Sequence, residues 1–180
     1  MSTTATRYHD ISTGHRVYGH ESKCKHLHGH NYRVHFTIGC DELDSVGRVL
    51  DFGAIKEHLC MWLENEWDHK FLLWEEDPLV NVLRANDPDG LVSVPFNPTA
   101  ENMAQYLVEV IGPKVLPDHV MLVECLIEET RKCSVAFKLE LPRSAAPFGL
   151  PIPSLEDLTQ VAGPILNPVK LKRMSTAALG

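Results

Sequence analysis

The chain has 180 residues, 44% of them hydrophobic and 23% charged, enough for one ordinary domain with a buried core and short for two. Seventeen lysines and arginines against 24 acids leave a formal charge of −7, which argues against a nucleic-acid surface. No apolar run approaches membrane-spanning length, and "MSTTATRYHD" lacks the apolar centre of a secretion signal, so a cytoplasmic location without membrane contact is the expectation.

Along the chain, residues 8–17 read as a short strand with a weak pattern. The segment "SKCKHLHGHNYRVHF" then places Cys24, His26, His28 and His30 within seven residues. From His30 to Cys40, Tyr32, Val34, Phe36 and Ile38 fall on one face of a strand, with Asn31, Arg33, His35 and Thr37 on the other. A helix follows from Leu50, with Asp51 as its N-cap and Phe52, Ile55, Leu59, Trp62, Leu63 and Trp67 at helical spacing. The stretch "DHKFLLWEEDPL" reads as a loop leaving that helix.

A second helix starts at "NPTAENMAQYLVEVIGP", capped by Thr99 and ended by Gly112-Pro113. Residues 121–128 and 133–139 form a hairpin around "EETRK". Two strands, two helices and two strands predict an α+β domain over 1–140, with helices on one face of an antiparallel sheet. Residues 141–180 hold six prolines and little periodicity, and read as an extension of unknown role.

Five cysteines at unpatterned spacing are expected to be free thiols. Cys40, Cys60, Cys125 and Cys133 lie in or beside apolar segments and read as small buried hydrophobes. Cys24 lies between Lys23 and Lys25, where neighbouring cations favour a reactive thiol.

His28 and His30 flank a glycine at a strand entrance. Positions i and i+2 share a face, so both imidazoles can converge on one ion. A third ligand would leave an open coordination position, as catalytic zinc requires, and His15, His20 and His26 are the candidates. Asp68-His69 at a helix end can act as a proton relay, or can be a solvated terminus. Of Glu128 and Glu129, alternation lets only one point into a site.

The segments "GHRV" (14–17), "CKHLHGHNY" (24–32), "VLDFGAIK" (49–56), "DHKFL" (68–72), "PTAEN" (98–102) and "EET" (128–130) together resemble one family, the 6-pyruvoyl and 6-carboxytetrahydropterin synthases. The resemblance spans about residues 7–139. It implies the family's tunnelling fold: a four-stranded antiparallel sheet with two helices on one face, three subunits closing their sheets into a barrel, and two trimers stacking into a hexamer. By resemblance, His15, His28 and His30 hold Zn2+, and Cys24 is the general base on the substrate side chain. Asp68 and His69 form a relay supplied by a neighbouring subunit. Glu129 anchors the pterin ring and joins the relay, while Thr99 and Glu101 help frame the pocket. Lys23 and Lys25 are expected near the triphosphate of the family substrate, 7,8-dihydroneopterin triphosphate. His20 and His26 match no functional position.

Three residues separate Cys24 from His28, a short spacing similar to the 6-carboxytetrahydropterin synthases of queuosine (7-deazaguanine) biosynthesis. These cleave the side chain, releasing acetaldehyde and triphosphate. The alternatives are a 6-pyruvoyl tetrahydropterin synthase, which eliminates triphosphate, and a non-catalytic zinc- or pterin-binding module. Departures from the family pattern are Ile11 in "ISTGH", "TRKCS" after Glu129, and "DHKFLLW".

Overall fold

A computed structural model describes residues 3–139, and the extension read over 141–180 lies outside the described residues. Its centre is a long antiparallel pair, β1 (Thr4–His15) and β2 (His28–Cys40), running from Thr4 opposite Gly39 to His15 opposite His28. Tyr32, Val34, Phe36 and Ile38 of β2 are completely buried, as their alternation predicts. Each such side chain contributes about 1.5–3 kcal/mol on burial, and a one-residue slip would turn all four outward, so the register is strongly held. β1 is longer than its weak pattern suggests because polar residues, Arg7, His9, Thr13 and His15, occupy four of its inward positions. Of these, His9 Nε2 meets Glu64 Oε2 at 2.8 Å and Arg7 donates to the Phe52 carbonyl at 3.4 Å.

Helix α1 covers residues 52–66, with a wide turn at Lys56–Cys60 between Phe52–Ile55 and Met61–Glu66. Asp51 caps it, accepting from the Gly53 amide at 2.7 Å. The expected loop at 68–79 is instead structured: β3 (Phe71–Trp74), α2 (Leu79–Asn86) and β4 (Leu91–Val94) follow in order. β3 pairs in parallel with β1 and β4 in parallel with β3. Helix α3 covers residues 100–115 as Ala100–Tyr106, a wide turn Leu107–Ile111, and Gly112–Val115. β5 (Val120–Thr130) and β6 (Cys133–Lys138) form the predicted hairpin.

The fold is α+β, but the expected four-stranded antiparallel sheet is corrected to a six-stranded mixed sheet of order β4-β3-β1-β2-β5-β6. The cause is the run "FLLW". Leu72 joins the main core while Leu73 packs with Val80 of α2 and Leu91 of β4, so β3 is buried on both sides and shows no alternation. Helices α1 and α3 share one core with the inward residues of β1, β2 and β5, as expected, and α2 covers the opposite face at β3 and β4. The rest of that opposite face is polar: Arg33 pairs with Asp10 at 2.7 Å and lies over the Tyr8 ring, and His35 meets Glu128 at 2.6 Å.

All five cysteines are free; Cys133, expected to be buried, opens β6 just past the turn and is exposed. Among the described residues no helix is long and apolar enough to cross a membrane.

Candidate metal centre

The inward face of β2 continues past Tyr32 to His30 and His28, so the alternation that builds the core also carries two imidazoles to its end. Pairing of His15 with His28 adds the third from β1. The three are brought together, with one ligand atom from each lying within 4.8 Å of the others. His20 and His26 stay out of this group, so of the three candidates only His15 is brought beside His28 and His30. Gly14 and Gly29, paired beside the histidines, permit the close approach: a Cβ on Gly29 would stand 2.9 Å from the Thr13 carbonyl oxygen, and one on Gly14 would enter the Phe71 ring.

Two of the imidazoles are oriented by main-chain carbonyls. His15 Nδ1 lies 2.7 Å from the Pro98 oxygen and His28 Nδ1 2.7 Å from the His26 oxygen. A carbonyl only accepts, so each Nδ1 carries the proton and each Nε2 presents its lone pair, the arrangement that metal-binding histidines use. Burial pushes the His15 and His30 pKa values down, with the neighbouring His28 adding to the effect, which favours the neutral, ligating form. The donor set therefore fits a borderline cation such as zinc.

Glu129 faces the same group. Its Oε1 is 3.6 Å from His30 Nε2, 3.7 Å from His15 Nε2 and 3.5 Å from the Tyr32 hydroxyl. Ser134 pairs with Glu128 and Cys133 with Thr130, so Glu129 is the extra residue of a bulge, a device that re-aims a side chain. Glu128 points the other way, to His35, as alternation requires.

Cys24 sits half-buried in a single helical turn, Lys23–Lys25, with both lysines exposed. The Cys24 carbonyl accepts from the Val17 amide at 2.8 Å, closing the loop between β1 and β2. Burial pushes the Tyr32 hydroxyl pKa well up, and the charge of Glu129 and its hydrogen bond from Tyr32 add to the effect.

Asp68 and His69 are joined to each other and sit apart from the histidine group. His69 Nδ1 donates to Asp68 Oδ2 at 2.6 Å, and Asp68 Oδ1 accepts from the Ser12 amide at 2.7 Å. Burial raises the Asp68 pKa, but the bonds from Ser12 and His69 outweigh it and hold the carboxyl below its usual range. The His69 ring is 82% exposed, and its backbone has φ 54°, a left-handed conformation that costs about 1 kcal/mol or more in a residue with a side chain. Such strain concentrates at functional positions.

Thr99 caps α3, accepting from the Asn102 amide at 3.3 Å, and Glu101 is exposed in the first turn. What the loop before α3 brings to the site directly is the Pro98 carbonyl. Asn97 clamps it in place, bonding both the amide and the carbonyl of Tyr18 at 2.9 and 2.7 Å. Sequence reasoning included Pro98 in a matching segment but gave neither it nor Asn97 a role, because a main-chain carbonyl leaves no mark in the sequence. It placed Tyr32 in the core as an apolar ring, although its parity with His28 and His30 puts the hydroxyl at the edge of the site.

The sequence profile of the 6-pyruvoyl tetrahydropterin synthase family matches residues 4–140. The chain is 37% identical over 132 residues to a 6-carboxy-5,6,7,8-tetrahydropterin synthase of Rickettsia typhi, covering 72% of this chain and 96% of that protein. A probable 6-carboxy-5,6,7,8-tetrahydropterin synthase of Halobacterium salinarum is 38% identical over 121 residues, covering 67% and 76%. Among solved structures, an uncharacterised protein of Wolinella succinogenes superposes with TM-score 0.68 at 24% identity, over 78% of this chain and 99% of that one. The 6-pyruvoyl tetrahydropterin synthase of Caenorhabditis elegans gives 0.56 at 24% identity, over 77% and 96%. With a histidine tripod at the end of its core, a carboxylate beside it and a profile match spanning the described domain, the chain belongs to the 6-pyruvoyl tetrahydropterin synthase family.

Proposed function

We propose that the protein is a zinc-dependent 6-carboxy-5,6,7,8-tetrahydropterin synthase, a lyase that converts 7,8-dihydroneopterin triphosphate to 6-carboxytetrahydropterin, acetaldehyde and triphosphate in 7-deazaguanine (queuosine) biosynthesis. The observation that carries this reading is the identity of 37% along nearly the whole of a curated relative of that name. The short interval between Cys24 and His28 favours the same branch.

His15, His28 and His30 would hold the ion, each through one ring nitrogen. When bound, zinc supplies Lewis-acid polarisation of the side-chain hydroxyls, making their protons easier to remove. Cys24 takes a side-chain proton, with Lys23 and Lys25 beside it to favour the thiolate and to meet the triphosphate. Glu129 receives the paired N–H donors of the pterin edge, an arrangement a fixed carboxylate suits. Thr99 holds the start of α3, and Glu101 borders the pocket from the first turn.

Asp68 and His69 return a proton from a neighbouring subunit. Their separation from the tripod within one chain and the exposure of His69 support sites composed between subunits of a homo-oligomer. A trimer-based hexamer would also cover the sheet edges that β4 and β6 present.

The test is consumption of 7,8-dihydroneopterin triphosphate by the zinc-loaded protein, with Cys24→Ala beside it. Wild type should consume substrate, whereas the variant should keep its zinc and lose at least about a hundredfold in rate, as removal of a general base does. A wild type that holds zinc but leaves the substrate intact overturns the reading. Full turnover by Cys24→Ala overturns the assignment of the base.

A further inference from the structure

We propose that the Tyr32 hydroxyl is a two-position hydrogen-bond donor that links occupancy of the histidine tripod to the placement of Glu129. Tyr32 is completely buried in the core, and its hydroxyl oxygen lies 3.0 Å from His15 Nε2 and 3.5 Å from Glu129 Oε1. His15 Nδ1–H is already bonded to the Pro98 carbonyl at 2.7 Å, so Nε2 offers only a lone pair. A carboxylate likewise only accepts. A phenol has a single proton, so Tyr32 serves one of two acceptors at a time, and the shorter contact places that proton on His15.

Giving His15 Nε2 to a cation removes that acceptor. The hydroxyl then has Glu129 left, and reaches it by rotation about its C–O bond while the ring stays in the core. Glu129 thereby gains a fixed donor on one oxygen. Its Oε1 otherwise lies 3.6–3.7 Å from two of the tripod nitrogens, close enough to drift toward a bound cation as a further ligand. Held by Tyr32, it stays available to the N–H donors of an incoming ligand. Tyr32 is thus a positioning residue, making cation binding and ligand anchoring mutually favourable. The identity of that ligand as a pterin rests on the function proposed above; the link between Tyr32 and the tripod does not.

The two effects of deleting the hydroxyl have opposite signs, which a merely structural role would not produce. In Tyr32→Phe the ring still fills its place, no bond to His15 has to be broken when the cation binds, and Glu129 is free to approach it. Zinc affinity of the metal-free protein, read by competition with a chromophoric chelator, should rise by roughly fivefold, the worth of one hydrogen bond. Binding of neopterin, followed by its fluorescence, should strengthen on zinc loading in the wild type and respond to zinc much less in the variant. In the wild-type chain, with tyrosine carbon-13 labelled at Cζ, the Tyr32 resonance should move on zinc addition. Unchanged or weakened zinc binding in Tyr32→Phe, or an unmoved Tyr32 resonance where the variant fails to fold, overturns the proposal. Tighter zinc binding in the variant, with neopterin bound by neither protein, upholds the link from Tyr32 to the tripod and overturns the pterin reading.

Discussion

At the scale of single residues, the centre depends on main-chain acceptors as much as on the ligands themselves. The Pro98 and His26 carbonyls fix which nitrogen of His15 and His28 would face a cation. His69 illustrates a different constraint. Its left-handed backbone is the third position of the turn Trp67–Lys70 that follows α1, closed by the Lys70 amide to the Trp67 carbonyl at 3.3 Å and held by Asp68 at 2.6 Å and by its own amide to the Ser12 carbonyl at 2.8 Å. His69→Gly should raise stability by about 1 kcal/mol in denaturant melts while turnover falls, because the strain is relieved and the imidazole lost. A variant that is less stable than wild type would show that His69 packs rather than strains. The shared face of His28 and His30 was legible in the sequence because alternation alone decides it, and so was the opposed orientation of Glu128 and Glu129; which of those two faces the site came only with the family resemblance. The carbonyl partners were not, since any residue has a carbonyl and only the fold brings Pro98 to His15.

At the scale of elements, the alternating strand β2, the two capped helices and the final hairpin were readable because each buries one face. The unit of β3, α2 and β4 was not, because a four-residue strand covered on both sides has no period to detect. That unit also supports the site. Arg16, immediately after His15, donates to Asp77 Oδ2 at 2.6 Å, and Asp77 is buried and also accepts from the Leu79 amide at 2.8 Å to start α2. Removing one partner of such a buried pair strands the other's charge. Arg16→Ala should therefore cost about 3 kcal/mol and weaken zinc retention, because it frees the strand end that carries His15. Denaturant melts with metal analysis check this, and a loss below about 1 kcal/mol would show that the pair is solvated in practice.

At the scale of the whole molecule, one chain assembles the tripod with Glu129 and keeps Asp68 and His69 apart from it. Mixed oligomers distinguish a shared site from a self-contained one. Cys24→Ala and His69→Asn, each inactive alone, should recover up to about a quarter of wild-type activity when co-assembled, because a random mixture gives one intact site in four if the two residues come from different subunits. Asparagine tolerates the left-handed backbone, so the second variant should still fold. No recovery in verified mixed oligomers would place both residues in the same subunit's site. The most direct measurement is product stoichiometry. Zinc-loaded protein would be given 7,8-dihydroneopterin triphosphate, and pterins and acetaldehyde quantified together. Equal amounts of 6-carboxytetrahydropterin and acetaldehyde are expected, whereas a 6-pyruvoyl product without acetaldehyde would contradict the assignment and move the chain to the triphosphate-eliminating branch of its family.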